Sequence, residues 1–198
     1  MRLEIKLKQI VGSRTRAKLI KIFFSKPNDS FFVRQLVRLT GEEINSVRRE
    51  LTNLKQIGAV LSQNRSNKLF YWANSKFIFF NELALMGFKS KKFWTEISKY
   101  NNKHGGIYKI ICSRSFVFDH SHSDIEEKRA DEIDMVVVGK IQLEKISKII
   151  SQEEKKIGKE INYMVMSKKE FNLRLSGREP FMVDFFLKAP ITIMGNYV

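Results

Sequence analysis

Asn45, Ser46, Arg49, Thr52 and Asn53 carry hydrogen-bonding side chains, none of them acidic, within nine residues of chain. At about 100° per residue they gather on one face of a helix with Gln56, and Arg48 lies on its flank. Arg and Asn are the side chains that make paired hydrogen bonds to guanine and adenine edges. A second set is Glu132 and Asp134, two apart in an apolar, strand-like run, so that both side chains leave the same face. Carboxylates paired in this way hold Mg²⁺, which in turn clamps a triphosphate. A third set, Asp119, His120, His122 and Asp124, puts four potential metal ligands within six residues. Neighbours in a loop point apart, and a solvated loop is the reading that spacing favours over a tetrahedral site. Cys112 falls in an apolar run, as a core thiol does.

The first set needs a helix to present it, and the chain supplies one. Ile44, Val47, Leu51, Leu54 and Ile57 recur at three and four, making one apolar stripe between Gly41 and Gly58. Thr40-Gly41 reads as the end of a preceding helix and Asn45 as an N-cap. Upstream, Ser13 is a candidate cap for a helix whose wide apolar face holds Ala17, Leu19, Ile20, Phe23 and Phe24. Residues 26–30 form a turn, Phe31-Phe32 a brief strand, and Val33, Leu36 and Val37 start a short helix with Arg34 and Arg38 pointing away from its core side. Beyond Gly58, two β-prone runs flank Arg65-Ser66-Asn67, and Lys68, Phe70 and Trp72 alternate with Leu69, Tyr71 and Ala73 as a hairpin strand would. Helix, strand, helix, helix, hairpin is the order of a winged helix-turn-helix, whose second helix enters a DNA major groove. The expected contacts are Asn45, Ser46, Arg49, Thr52 and Asn53 to bases, and Arg34, Arg48, Arg65 and Lys68 to phosphate.

Charge agrees with that placement. Residues 1–100 hold 20 Lys and Arg against 7 Asp and Glu, whereas residues 101–198 hold 16 against 14, so nearly all of the net charge of +15 lies in the first half. A basic half beside a nearly neutral one implies an anionic partner for the former. One cysteine excludes an intramolecular disulfide and fits a reducing cytoplasm. The start of the sequence lacks the apolar core of a signal peptide, and the apolar run at residues 77–80 is far too short to span a membrane. Residues 76–100 read as helical and unusually aromatic, with a break near Gly87 or residues 89–92, and they suit a linker that also joins two copies.

The second half alternates strands and helices: strands at 107–112, 133–138 and 161–166, a helix over 141–157, a capping box at Ser167 to Glu170, a helix opened by Pro180, and a last strand at 190–194. Here ADEIDMVVVG resembles the acidic strand of the nucleotidyltransferase superfamily, and KEINYMVMSKKEF resembles its following strand and helix. GSRTRAKLIKIFF and the segment from Phe31 through the hairpin resemble bacterial and archaeal winged-helix regulators. Together they resemble regulators that fuse the two. The resemblance implies a phosphate-holding Gly-Ser before the acidic strand, and this chain has Cys112-Ser113 there. It implies three acids, and the positions hold Glu132, Asp134 and the neutral Asn162. Losing one anionic ligand weakens Mg²⁺ binding, so Ser113, Glu132, Asp134 and Asn162 are expected to be vestiges of a site, with no cofactor.

The expectation is an α+β chain: a DNA-binding domain at 1–75, a helical linker and dimerisation segment at 76–104, and a nucleotidyltransferase-like domain at 105–198. Its partners are double-stranded DNA and a second copy, with no membrane, in the cytoplasm. The alternative is an active enzyme that binds Mg²⁺ and a nucleoside triphosphate through Glu132 and Asp134 to modify a protein, tRNA or small molecule.

Overall fold

The computed structural model describes residues 7–118 and 132–195, a mixed α+β chain with two small sheets. It divides into two compact units between Ser90 and Lys91. Among the described residues, no helix is long and apolar enough to cross a membrane.

The first unit begins with α1 (Leu7–Val11) and α2 (Arg14–Ser25). Ser13 Oγ accepts the Arg16 amide at 3.2 Å and caps α2, which buries Ala17, Leu19, Ile20, Phe23 and Phe24. β1 (Phe31–Phe32) leads directly into α3 (Val33–Thr40). Gly41, at φ 62°, ends α3 and donates its amide to Val37 O at 2.8 Å, a left-handed cap that suits a residue without a Cβ. The next helix, α4 (Ile44–Gln56), is capped by Glu43 rather than Asn45. The Glu43 carboxylate accepts the amides of Asn45 and Ser46 at 2.9 and 3.1 Å, so the helix starts two residues earlier and Asn45 stands within its first turn. Val47, Leu51 and Leu54 are buried, whereas Ile57 lies past the last turn and is 61% exposed.

The chain then forms β2 (Val60–Arg65) and β3 (Lys68–Ala73), joined by Ser66 and Asn67, both at positive φ as a tight two-residue hairpin turn demands. The antiparallel sheet has the order β1-β3-β2. Phe31 pairs with Tyr71 and turns inward against Phe23, with ring centroids 5.8 Å apart. Finally α5 (Phe80–Lys89) lies against α2, Phe24 to Phe80 at 5.7 Å. Gly87 permits the approach, because a Cβ there would stand 3.3 Å from the Phe24 carbonyl carbon.

The aromatic segment 76–104 is thus shared between the units. Its break falls at Ser90 and Lys91, and α6 (Lys92–His104) belongs to the second unit. There its Phe93, Trp94, Ile97 and Tyr100 are buried, and Tyr100 Oη accepts the Gln142 amide at 3.0 Å. The second sheet comprises β4 (Ile107–Cys112), β5 (Met135–Gly139), β6 (Tyr163–Met166) and β7 (Ile191–Met194), in the order β6-β5-β4-β7. β5 and β6 are parallel and joined through α8 (Leu143–Ile157), while β4 runs antiparallel to both of its neighbours. α7 (Arg114–Phe118) follows β4. α9 (Lys168–Ser176), capped by Ser167, and α10 (Pro180–Leu187) place Phe171, Met182 and Phe185 on Ile111, Val136, Val138 and Met166 to form the core.

Candidate nucleic-acid interface

The side chains expected to meet DNA are supported by a helix whose acidic neighbours are all engaged within the fold. Glu50, 3% exposed on the inner side of α4, accepts Arg16 Nε at 2.8 Å and Asn53 Nδ2 at 3.3 Å. Burial alone would push its carboxyl pKa up, but the donors Ser13, Arg16 and Asn53 outweigh that and hold it below the ordinary value. Glu42 pairs with Lys18 and, at 2.9 Å, with Arg14, and the Lys18 hydrogen bond leads in holding its pKa down. Glu43 is occupied by the helix cap. A carboxylate at a helix N-terminus also offsets the positive end of the macrodipole.

The outer face of α4 is left cationic and polar. Asn45, Arg48, Arg49 and Thr52 are exposed, and Ser46 and Asn53 are half-buried. The Asn53 amide nitrogen is directed to Glu50, so this side chain faces a structural partner as well as solvent. Burial raises the pKa of the Tyr71 phenol, and the charge of Arg48 opposes that shift. Arg34 is exposed on α3. At the hairpin tip Arg65 and Lys68 are exposed and paired across the strands; the Arg65 guanidinium lies 5.4 Å from the Trp72 ring centre and the Lys68 ammonium 5.1 Å from that of Phe32.

Glu50 was not legible as a support for α4, because its partner Arg16 is 34 residues away. Its one sequence signal is position: it sits between Val47 and Leu51 on the apolar side of the helix.

The second unit brings together the four residues expected to be remnants of an acidic site. Ser113 donates its amide to Asp134 O at 2.8 Å, and its hydroxyl accepts the Phe116 amide at 3.1 Å and contacts Ser115 Oγ at 3.0 Å. Asp134 is fully buried, and its Oδ2 accepts the Asn162 amide at 2.9 Å. Asn162 O in turn accepts the Asp134 amide at 2.7 Å, and Asn162 Nδ2 donates to Glu132 O at 3.2 Å. Glu132 Oε1 meets Lys188 Nζ at 3.2 Å. Hydrogen bonds to Asp184 and then to Glu132 raise the Lys188 pKa. β5 starts only at Met135, so Glu132 and Asp134 precede the strand that was expected to hold them.

This donor set does not fit a Mg²⁺ clamp. A hard cation needs several oxygens converging on one solvent-reachable point. Here one carboxylate is sealed against the backbone of residue 162 and the other faces an ammonium group. Among the described residues, no cluster of three His, Cys, Asp or Glu is arranged to hold a metal. Asp119, His120, His122 and Asp124 lie outside the described residues. Cys112 is buried in β4, where a core thiol was expected.

Comparisons with protein families, with characterised proteins and with solved structures gave no match. The functional reading therefore stands on the chain's own geometry.

Proposed function

We propose that the protein is a sequence-specific, double-stranded DNA-binding transcriptional regulator of the cytoplasm. In this reading the first unit is a winged helix-turn-helix, with α4 as its recognition helix and the β2–β3 hairpin as its wing. The second unit is nucleotidyltransferase-like without transfer chemistry, kept for sensing or assembly, and the regulator acts as a dimer. The carrying observation is the outer face of α4: Asn45, Arg48, Arg49 and Thr52 exposed together, with Glu42, Glu43 and Glu50 each engaged elsewhere. A solvent-facing row of Arg and Asn has the donors that read purine edges. The cations at the hairpin tip give a second point of contact with the phosphate backbone. For dimerisation, Ile78 and Phe79 offer an apolar step, 82% and 57% exposed.

Selection of bound fragments from a random duplex pool, followed by titration of the winning site, tests the reading. Arg49→Ala should cost about 1–3 kcal/mol on that site and relax preference at one base position. Lys68→Ala should weaken every sequence alike. Equal losses on all sequences from both variants would refute this division of roles, and no enrichment at low salt would refute the reading itself.

A further inference from the structure

The outer face of the three-stranded sheet carries aromatic rings that duplex reading does not use. Strand alternation puts Phe31, Tyr71 and Val60 inward and leaves Phe32, Phe70, Trp72, Leu61, Gln63, Arg65 and Lys68 on the other side. Phe32, Phe70 and Trp72 are half-buried there, Phe32 and Phe70 meet edge to face at 5.9 Å, and Leu61 is 42% exposed. Arg65 and Lys68 lie over the rings of Trp72 and Phe32. Beside Trp72 a pocket of about 270 Å³ opens, lined also by Pro27, Leu61 and Phe80, with Asn28 and Ser75 as polar groups.

We propose that this face is a stacking platform for an unpaired nucleic-acid strand, with the Trp72 pocket receiving one base. The inference rests on the reading that this unit meets nucleic acid, and it adds a second substrate form: single strand beside duplex. Three observations select the occupant. Aromatic rings with cations beside them offer a surface on which a base can stack and a counter-charge for its phosphate. A duplex hides its base faces inside the stack, so only an unpaired segment presents a ring to Trp72. From Ala59 to Lys76 the sequence contains no acidic residue, so a second copy of this basic face would be repelled while a polyanion is attracted.

Trp72 is its own reporter. The other tryptophan, Trp94, is buried in the second unit and supplies a steady background. Adding short oligothymidylate to the full chain should quench Trp72 emission in a saturable, salt-sensitive way. Read by the anisotropy of a fluorescein-labelled strand, Trp72→Ala should weaken oligothymidylate binding by about five- to 150-fold, the range for one lost stacked base, while blunt duplex affinity stays within about twofold. Trp72→Phe, which keeps a ring, should retain most of the binding and guards against a variant that fails to fold. Arg49→Ala should show the opposite pattern, losing duplex and keeping single strand. Unchanged emission, or equal oligothymidylate affinity in Trp72→Ala, overturns the platform. So does sedimentation showing that Trp72→Ala abolishes a dimer instead. Duplex binding without quenching sinks this inference alone; quenching without duplex binding sinks the regulator reading and leaves the platform standing.

Discussion

Glu50 shows how one side chain sets the character of a whole face. Its carboxylate lies on the inner side of α4 and is held by Arg16 and Asn53, so the acid nearest Arg49 in sequence is withdrawn from the outer surface. Glu50→Ala leaves those donors without an acceptor, and the unfolding free energy should fall by about 1–3 kcal/mol, read from urea denaturation. The folded-state pKa of Glu50 is depressed, so its stabilisation is fully present above the ordinary value of 4.5 and is lost as pH falls through the lower folded value. Thermal midpoints measured from neutral pH downward should therefore decline below about pH 4.5, and Glu50→Gln should lose part of that decline. An acid limb identical in the two proteins would show that the carboxylate contributes no linkage. Lys188 is a comparable case in the second unit, an ammonium paired with both Glu132 and Asp184.

Among the elements, the informative contrast is between α4 and the lead into β5. Helix α4 is held by an apolar stripe plus a cap, and on its outer row Asn45, Arg48 and Arg49 are exposed and free of the core. The stretch before β5 has no such freedom, because Ser113, Glu132, Asp134 and Asn162 are tied to one another largely through backbone groups. Asp134 acts there as a brace that fixes where β6 begins beside β5. Asp134→Ala strips the Asn162 amide of its acceptor in a buried place, a loss of about 1–3 kcal/mol. Trp94 lies in the second unit and Trp72 in the first, so tryptophan emission during denaturation, read in Trp72→Phe and Trp94→Phe backgrounds, separates their responses. The Trp94 transition should move to lower urea while the Trp72 transition stays. A shift of both would show that the two units unfold as one.

For the whole molecule the governing quantity is charge. Of the net +15, +11 belongs to residues 1–90 of the first unit, 17 Lys and Arg against 6 Asp and Glu, so non-specific attraction to a polyanion is expected chiefly from that unit and is sensitive to salt. Arg34, Arg48, Arg65 and Lys68 are four exposed cations assigned to phosphate. At about 0.9 per neutralised phosphate, they give a slope of about −4 per bound protomer for the logarithm of duplex affinity against the logarithm of salt. Lys68→Ala should reduce the slope by about one. Affinity that ignores salt between about 50 and 200 mM would place these cations off the interface.

Periodicity within a few turns of chain was enough to fix most elements. The stripe at Val47, Leu51 and Leu54, the alternation along the hairpin and the Ser167 cap each act over short range, and the structure has a helix, two strands and a helix start there. Cap choice and helix ends were less legible: Glu43 displaced Asn45 because neighbouring side chains compete for the same free amides, and Ile57 fell outside its stripe because the helix ends at Gln56. The break expected near residues 89–92 falls at Ser90 and Lys91, but the sequence did not show that α5 buries its face on α2 and α6 its own in the second unit, partners a local pattern does not name. The composition by itself determined where the positive charge lies and which side of α4 bears donors. Only the tertiary structure decided that Glu50 turns inward, that the carboxylates of Glu132 and Asp134 are spent on Lys188 and the backbone of Asn162, and that aromatic rings line the outer sheet face. Each of these depends on groups far apart in sequence meeting in space, and no spacing along the chain encodes such a meeting.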